Sequence, residues 1–170
     1  MATVWLLQLR LVTHQPTGRL SFMRRFTQVD VFTNELTFGN PVAVVHDADG
    51  LTTQDMDDFA RWTNLSETTF LIKPTDDRAD YQLRIFTTRQ ELPFAGHPTL
   101  GSAHAWLEAG GVAKNPDCLI QQCGAGLVPI RRDGTRLAFA APPLIRGGDV
   151  DDEDLIESIA FLGIDNDQVV

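Results

Sequence analysis

The stretch Glu91-Leu-Pro-Phe-Ala-Gly-His-Pro-Thr-Leu-Gly-Ser-Ala-His-Ala-Trp-Leu-Glu-Ala-Gly110 decides how this chain folds. It reads as an extended run, a tight Ala-Gly-His turn and then a helix. Pro98 suits the first helical position, where a missing N–H costs nothing. Gly110 and Gly111 supply a left-handed stop. Between them Thr99, Leu100, Gly101, Ser102, Ala103, His104, Ala105, Trp106 and Leu107 carry no carboxylate or ammonium. A helix that is small and apolar on every side belongs inside a protein. Its first turn has backbone N–H groups without helical partners, and it opens at a Gly-His pair. That combination is a ready anion site, and a small carboxylate is the anion to expect.

Working outward, the flanking segments read mainly as strands. Phe26, Val29, Val31 and Phe32 lie in a strand-like segment, and Pro41-Val-Ala-Val-Val-His46 is a short buried strand. Thr52 or Thr53 caps a helix that runs to about residue 63. Glu67-Thr-Thr-Phe-Leu-Ile-Lys73 and residues 79–87 are further strands, the second alternating Tyr81, Leu83, Ile85 against Gln82, Arg84. After Gly111 come strand candidates at 118–123, 126–131 and 136–140, with Asp133-Gly134 as a hairpin turn. A last helix spans about 152–162. These elements predict an α+β fold, a mostly antiparallel strand barrel around a buried central helix.

Composition sets limits on function. The chain has 170 residues, 14 basic and 23 acidic, with a net charge of -9. One domain with a real core fits that length. The charge disfavours a nucleic-acid-binding surface and attraction to anionic membranes. Residues 1–25 hold four arginines and no acid, whereas residues 149–170 hold eight acids and no base. The acidic end reads as a solvated helix face with its flanks. Val4-Trp-Leu-Leu-Gln-Leu-Arg-Leu-Val12 is too short and too interrupted to span a bilayer. Cys118 and Cys123 would point to opposite faces of one strand and cannot pair there. Two structural thiols in a reducing, cytoplasmic setting are expected. Asn64-Leu-Ser66 forms a sequon to which no role is assigned.

Few residues are placed for chemistry. Glu67 opens an apolar strand, where a carboxyl group can be tuned to take up and return a proton. The alternative is a solvent-facing strand end. His97, just before the helix, could donate to a substrate oxygen or merely cap the helix. His104, two turns further on, is roughly 10 Å away, too far for both to bind one metal, and reads as a core histidine. No acyl-transfer serine elbow, phosphate loop or dinucleotide fingerprint is present. Chemistry without a cofactor and without a metal is expected.

Phe26-Thr-Gln-Val-Asp-Val-Phe32, Gly39-Asn-Pro-Val-Ala-Val-Val45, Asn64-Leu-Ser-Glu-Thr-Thr-Phe70 and Leu83-Arg-Ile-Phe-Thr-Thr through Glu91-Leu-Pro-Phe-Ala-Gly-His-Pro-Thr-Leu-Gly101 together resemble the PhzF-like isomerase family of phenazine biosynthesis, whose members share the diaminopimelate epimerase fold. The match covers about residues 23–140. The resemblance implies two similar lobes, each a strand barrel around a helix, with the site in the cleft between them. It implies that Glu67 is the residue moving a proton between ring carbons. It also implies that Gly96, His97 and Pro98 form the substrate-binding turn, with backbone N–H groups holding a substrate carboxylate. Related epimerases have a catalytic cysteine where this chain has Ala95, so a carboxylate acid–base isomerase is favoured over a two-thiol racemase.

The resulting expectations are an extension at 1–22 with little role in the fold, an N-terminal lobe at 23–143, and an acidic loop and helix at 144–170 leading toward a second lobe. That lobe would supply an aspartate and a glycine-serine segment. The partners expected are a small carboxylate substrate and either a second lobe or another copy of the chain in a homo-oligomer. The competing readings are a small-acid-binding or assembly module and an inactive truncated fragment.

Overall fold

The computed structural model describes residues 3–5, 24–140, 147, 148 and 150–164. In chain order the elements are β1 (Thr3–Trp5), β2 (Phe26–Val31), β3 (Asn40–Val45), α1 (Thr53–Thr63), β4 (Glu67–Ile72), β5 (Tyr81–Phe86), β6 (Glu91–Leu92), α2 (Gly96–Glu108), β7 (Cys118–Cys123), β8 (Gly126–Asp133), β9 (Arg136–Phe139) and α3 (Asp152–Leu162). The chain divides into two compact units, Met1–Ala140 and Ala141–Val170.

In the first unit the strands form one sheet in the order β1-β2-β3-β4-β5-β7-β8-β9, with β6 paired to β5. Most pairs are antiparallel, but β3–β4 and β5–β7 are parallel. The sheet is therefore mixed. Each parallel pair is joined through a helix, α1 in the first and α2 in the second, because parallel neighbours need a long crossover.

The two helices pack on opposite faces of the sheet. Val42 and Val44 of β3, Leu71 of β4 and Leu83 and Ile85 of β5 share a core with Ala103 and Ala105 of α2. Ala43 and Val45 of β3, Phe70 of β4 and Phe86 of β5 share another with Met56 and Ala60 of α1. Burial on both faces explains why Val42-Ala-Val-Val45 is an unbroken apolar run rather than an alternating one.

α2 contacts β2, β3, β4, β5, β7 and β9. Six steps of about 4.8 Å separate β2 from β9 along the sheet, roughly 29 Å if it were flat. A helix about 10–12 Å across cannot touch both ends of such a sheet, so the sheet curls round it. The strand path runs from β1 to β9 without closing into a ring among the described residues. Leu100, His104, Trp106 and Leu107 remain half-buried, so the helix is covered over most, but not all, of its circumference.

Local chemistry sets the helix ends. Thr52 caps α1 in a reciprocal capping box with Asp55. Asn64 closes α1 in the left-handed conformation, with φ of 55°. That capping role accounts for the asparagine of the sequon. α2 begins at Gly96, two residues before the start expected from Pro98. Pro98 is thus the third helical residue, still within the turn that needs no donor. At the other end Gly110 has φ of 92°. A Cβ on Gly111 would stand 2.3 Å from the Trp106 ring, which needs that space.

Thr3–Trp5 pairs antiparallel with β2, so these three residues of the expected extension take part in the sheet. The rest of 1–22 lies outside the described residues. Cys118 and Cys123 are free thiols. In the second unit α3 is capped by Asp151 and closed by Gly163 in the left-handed conformation, and its Ile156, Phe161 and Leu162 are exposed. No helix among the described residues is long and apolar enough to cross a membrane.

Candidate active site

Three chain segments far apart in sequence meet at the first turn of α2. Val42 of β3 is paired in register with Glu67 of β4, which places the start of both parallel strands side by side. Glu67, Thr69 and Leu71 alternate toward the α2 face of the sheet, and Leu71 is part of that core. α2 lies very close to β3 because residue 101 is glycine. A Cβ there would stand 2.5 Å from Val42 Cγ1 and 3.0 Å from Val31 Cγ2. His97 is one helical turn before Gly101, on the same face of α2. The close approach carries it to Pro41 and Glu67.

Glu67 Oε2 and His97 Nε2 are 3.2 Å apart, with side-chain exposures of 16% and 10%. Despite that distance the two atoms are not aligned as a hydrogen bond, and both are buried with no hydrogen-bond partner. Burial holds the His97 imidazole below its ordinary range; the Glu67 charge and a hydrogen bond to the Pro41 carbonyl pull it back only partly. At neutral pH the ring is therefore uncharged. His97 Nε2 thus faces a Glu67 side-chain oxygen with no aligned hydrogen bond between them. A single proton shared between that oxygen and that nitrogen would join the two. The pair is chemically suited to hold and release one proton.

Beside this pair, α2 begins without a side-chain cap, since its N-cap is Ala95 in an extended conformation. Its first turn contains no acidic residue. The Gly96 and His97 N–H groups have no carbonyl four residues earlier within the helix, and Pro98 has no N–H at all. Two amide donors and the positive end of the helix dipole thus share the mouth of α2 with Glu67. The Phe139 ring of β9 leans over the turn, its Cζ 3.0 Å from where a Gly96 Cβ would stand. Phe94 packs edge-on against Phe139 at 5.3 Å.

All the residues singled out in the sequence as a site are accounted for. Glu67 and His97 are brought together. Gly96 lies at the mouth, half-buried, and Pro98 is fully buried within the first turn, shaping it rather than facing outward. His104 lies two turns on, beside a cavity of about 220 Å³ shared with Phe32, Leu100 and Arg136, and is not part of the pair. Pro41, Gly101 and Phe139 escaped the reading of the sequence as chemistry. Gly39-Asn-Pro41 carries a turn signal, but nothing local shows that its carbonyl meets His97. Among the described residues no three His, Cys, Asp or Glu side chains converge as metal ligands.

The geometry can be set beside known proteins. The family model described as phenazine biosynthesis-like protein (PhzC-PhzF) matches residues 29–164. This chain belongs to that family. Among PhzC-PhzF relatives it is 44% identical, over 119 residues, to trans-2,3-dihydro-3-hydroxyanthranilate isomerase of Pseudomonas aeruginosa, covering 68% of this chain and 41% of the relative. It is 55% identical over 111 residues to antisense-enhancing sequence 1 of Schizosaccharomyces pombe, covering 65% of this chain and 38% of that protein. A solved PhzF-family protein from Bacillus anthracis superposes with a TM-score of 0.56 at 36% identity, over 61% of this chain and 34% of that one. A structure described as a predicted epimerase from Pseudomonas aeruginosa gives a TM-score of 0.57 at 36% identity, over 67% and 40%. The chain thus spans less than half the length of these PhzC-PhzF relatives.

Proposed function

We propose that this PhzC-PhzF chain carries the proton-transfer half of an isomerase site acting without a cofactor on a small cyclic or α-substituted carboxylic acid. The observation that carries the reading is the buried, unpartnered Glu67 Oε2 and His97 Nε2, 3.2 Å apart beside an uncapped helix start. The Gly96 and His97 amides hold the substrate carboxylate. Glu67, as carboxylate, removes a proton from a carbon whose C–H bond is weakened by a neighbouring double bond. The protonated Glu67 exchanges with solvent and delivers a proton to a second carbon as the double bond shifts, so that substrate and product have the same composition and solvent deuterium enters at that carbon. His97 Nε2, 3.2 Å away, accepts a hydrogen bond from protonated Glu67 and keeps the carboxyl within reach of the ring. Curled strands round α2 form one wall of the site, and the barrel-with-central-helix lobe of the family is the architecture this reading adopts.

The isomerase of Pseudomonas aeruginosa named above supports a dihydro-hydroxyanthranilate or a similar unsaturated ring acid as the substrate class. The test is deuterium uptake from D2O into such acids incubated with the chain. Uptake at one ring carbon supports the reading. Absence of uptake across ring acids that bind the chain would leave a binding module in its place.

A further inference from the structure

Two buried side-chain hydrogen bonds tie α2 to the sheet: Gln121 Nε2 of β7 donates to Thr99 Oγ1 at 3.1 Å, and Thr69 bonds Ser102, the second joining the two elements that carry the pair. Thr69 Oγ1 of β4 and Ser102 Oγ of α2 are 2.8 Å apart, and Thr69 Oγ1 also donates to the Ala43 carbonyl of β3 at 3.1 Å. Thr69 and Ser102 are both fully buried. Thr69 lies two residues beyond Glu67 on the same face of the strand, and Ser102 lies five residues beyond His97 on the helix. The Val42–Gly101 contact nearby is apolar and sets how close the helix comes to the sheet. A one-residue slide along a helix axis is about 1.5 Å, nearly half the 3.2 Å that now separates Glu67 Oε2 from His97 Nε2.

We propose that the Thr69–Ser102 hydrogen bond, which joins the two elements that carry the pair, is an axial stop that positions His97 against Glu67. It ties β3, β4 and α2 at one point, so Thr69 and Ser102 are positioning residues for the acid–base pair. The inference rests on the reading of Glu67 and His97 given above, but its test does not require turnover.

The measurement is the NMR titration of the His97 ring in the 170-residue chain, assigned by comparison with His97→Asn. Glu67 is the charged group facing this ring, with the Pro41 carbonyl on its other side. Glu67→Gln should lower the proton affinity of His97 about fivefold or more in the otherwise unchanged chain. In the Thr69→Val background the same Glu67→Gln change should alter it by less than half as much on the logarithmic scale. Thr69→Ser, which keeps the hydroxyl, should restore the full effect. Should Thr69→Val fail to fold, Ser102→Ala removes the bond from the helix side while Thr69 retains the Ala43 carbonyl as acceptor. A Glu67→Gln effect in folded Thr69→Val or Ser102→Ala that stays above half its original size overturns the proposal. Loss of thermal stability alone does not support it. If no deuterium uptake is found but the coupling depends on Thr69, the functional reading fails and the positioning role stands.

Discussion

His97 Nε2 stands 3.2 Å from Glu67 Oε2, both buried and neither in a hydrogen bond. A structural histidine–glutamate contact would align a donor with an acceptor. Here the two atoms are close but unaligned, at the uncapped start of α2. That is the arrangement the proposed proton transfer uses.

Replacing the carboxylate isolates that chemistry. Glu67→Gln keeps the shape of the side chain and offers an amide N–H to His97 Nε2, so the fold should be retained, with a melting temperature equal to or above that of the unchanged chain. Proton exchange into a bound ring acid should fall by about 10²–10⁴-fold, the usual contribution of a positioned acid–base group. Circular dichroism and isotope uptake measure the two effects separately.

The helix start can be tested at a single donor. Ala95 is extended, with φ of -151° and ψ of 142°, a conformation that a following proline accepts. Gly96 is the first residue of α2, the position where proline is tolerated best. Gly96→Pro should therefore keep the helix and remove one amide N–H. Affinity for a small carboxylate, read by calorimetry, should fall about tenfold or more, as expected for losing one hydrogen bond to a charged group. The Phe139 ring tip must shift to admit the new side chain.

Gly101 sets the approach of α2 to the sheet. A methyl group there would stand 2.5 Å from Val42 Cγ1 and 3.0 Å from Val31 Cγ2, closer than these atoms can come. Gly101→Ala should destabilise the chain by about 1–3 kcal/mol, despite the better helix propensity of alanine. Urea unfolding measures the loss, and a stabilised variant would show that the contact is looser than described.

Stability should also fall in mild acid, and His46 supplies the sign. Its ring is 4% exposed and lies 2.9 Å from Thr27 Oγ1. Burial, reinforced by Arg25 and opposed by Asp47, lowers its pKa from 6.5 to about 4. Between those values the unfolded chain binds a proton that the folded chain does not. The stabilisation is therefore complete above about pH 6.5 and is lost as pH falls toward 4. By pH 5 the loss should be on the order of 2 kcal/mol, and His46→Gln should flatten the pH dependence over that interval. His97 and His104 are also held low by burial and act in the same direction.

Much of this arrangement is legible in the sequence, for reasons that differ by element. α1 declares itself through its threonine cap, because capping is local chemistry, and the structure adds Asp55 to that cap and caps α3 with Asp151 and Gly163. α2 is legible as a helix, but its start is not, since Gly96 and His97 join it through tertiary contacts rather than through a cap. β6 is two residues long, too short to show any period. The two parallel pairs were hidden because a run such as Val42-Ala-Val-Val45 fits either sheet type until the second helix is seen to cover it. Glu67 and His97 stand out through the motifs they share with the PhzF-like family. Their contact depends on the Pro41 carbonyl and on the missing side chain of Gly101, neither of which has a local signature.

The most direct measurement compares deuterium uptake into a dihydro-hydroxyanthranilate-type acid by the unchanged 170-residue chain and by Glu67→Gln under identical conditions in D2O. Site-specific uptake with the unchanged chain, reduced at least a hundredfold in a folded Glu67→Gln variant, is the expected result, with the size set by general acid–base catalysis. Equal uptake by both proteins, or none by either, would contradict the assignment of Glu67 as the residue that moves the proton.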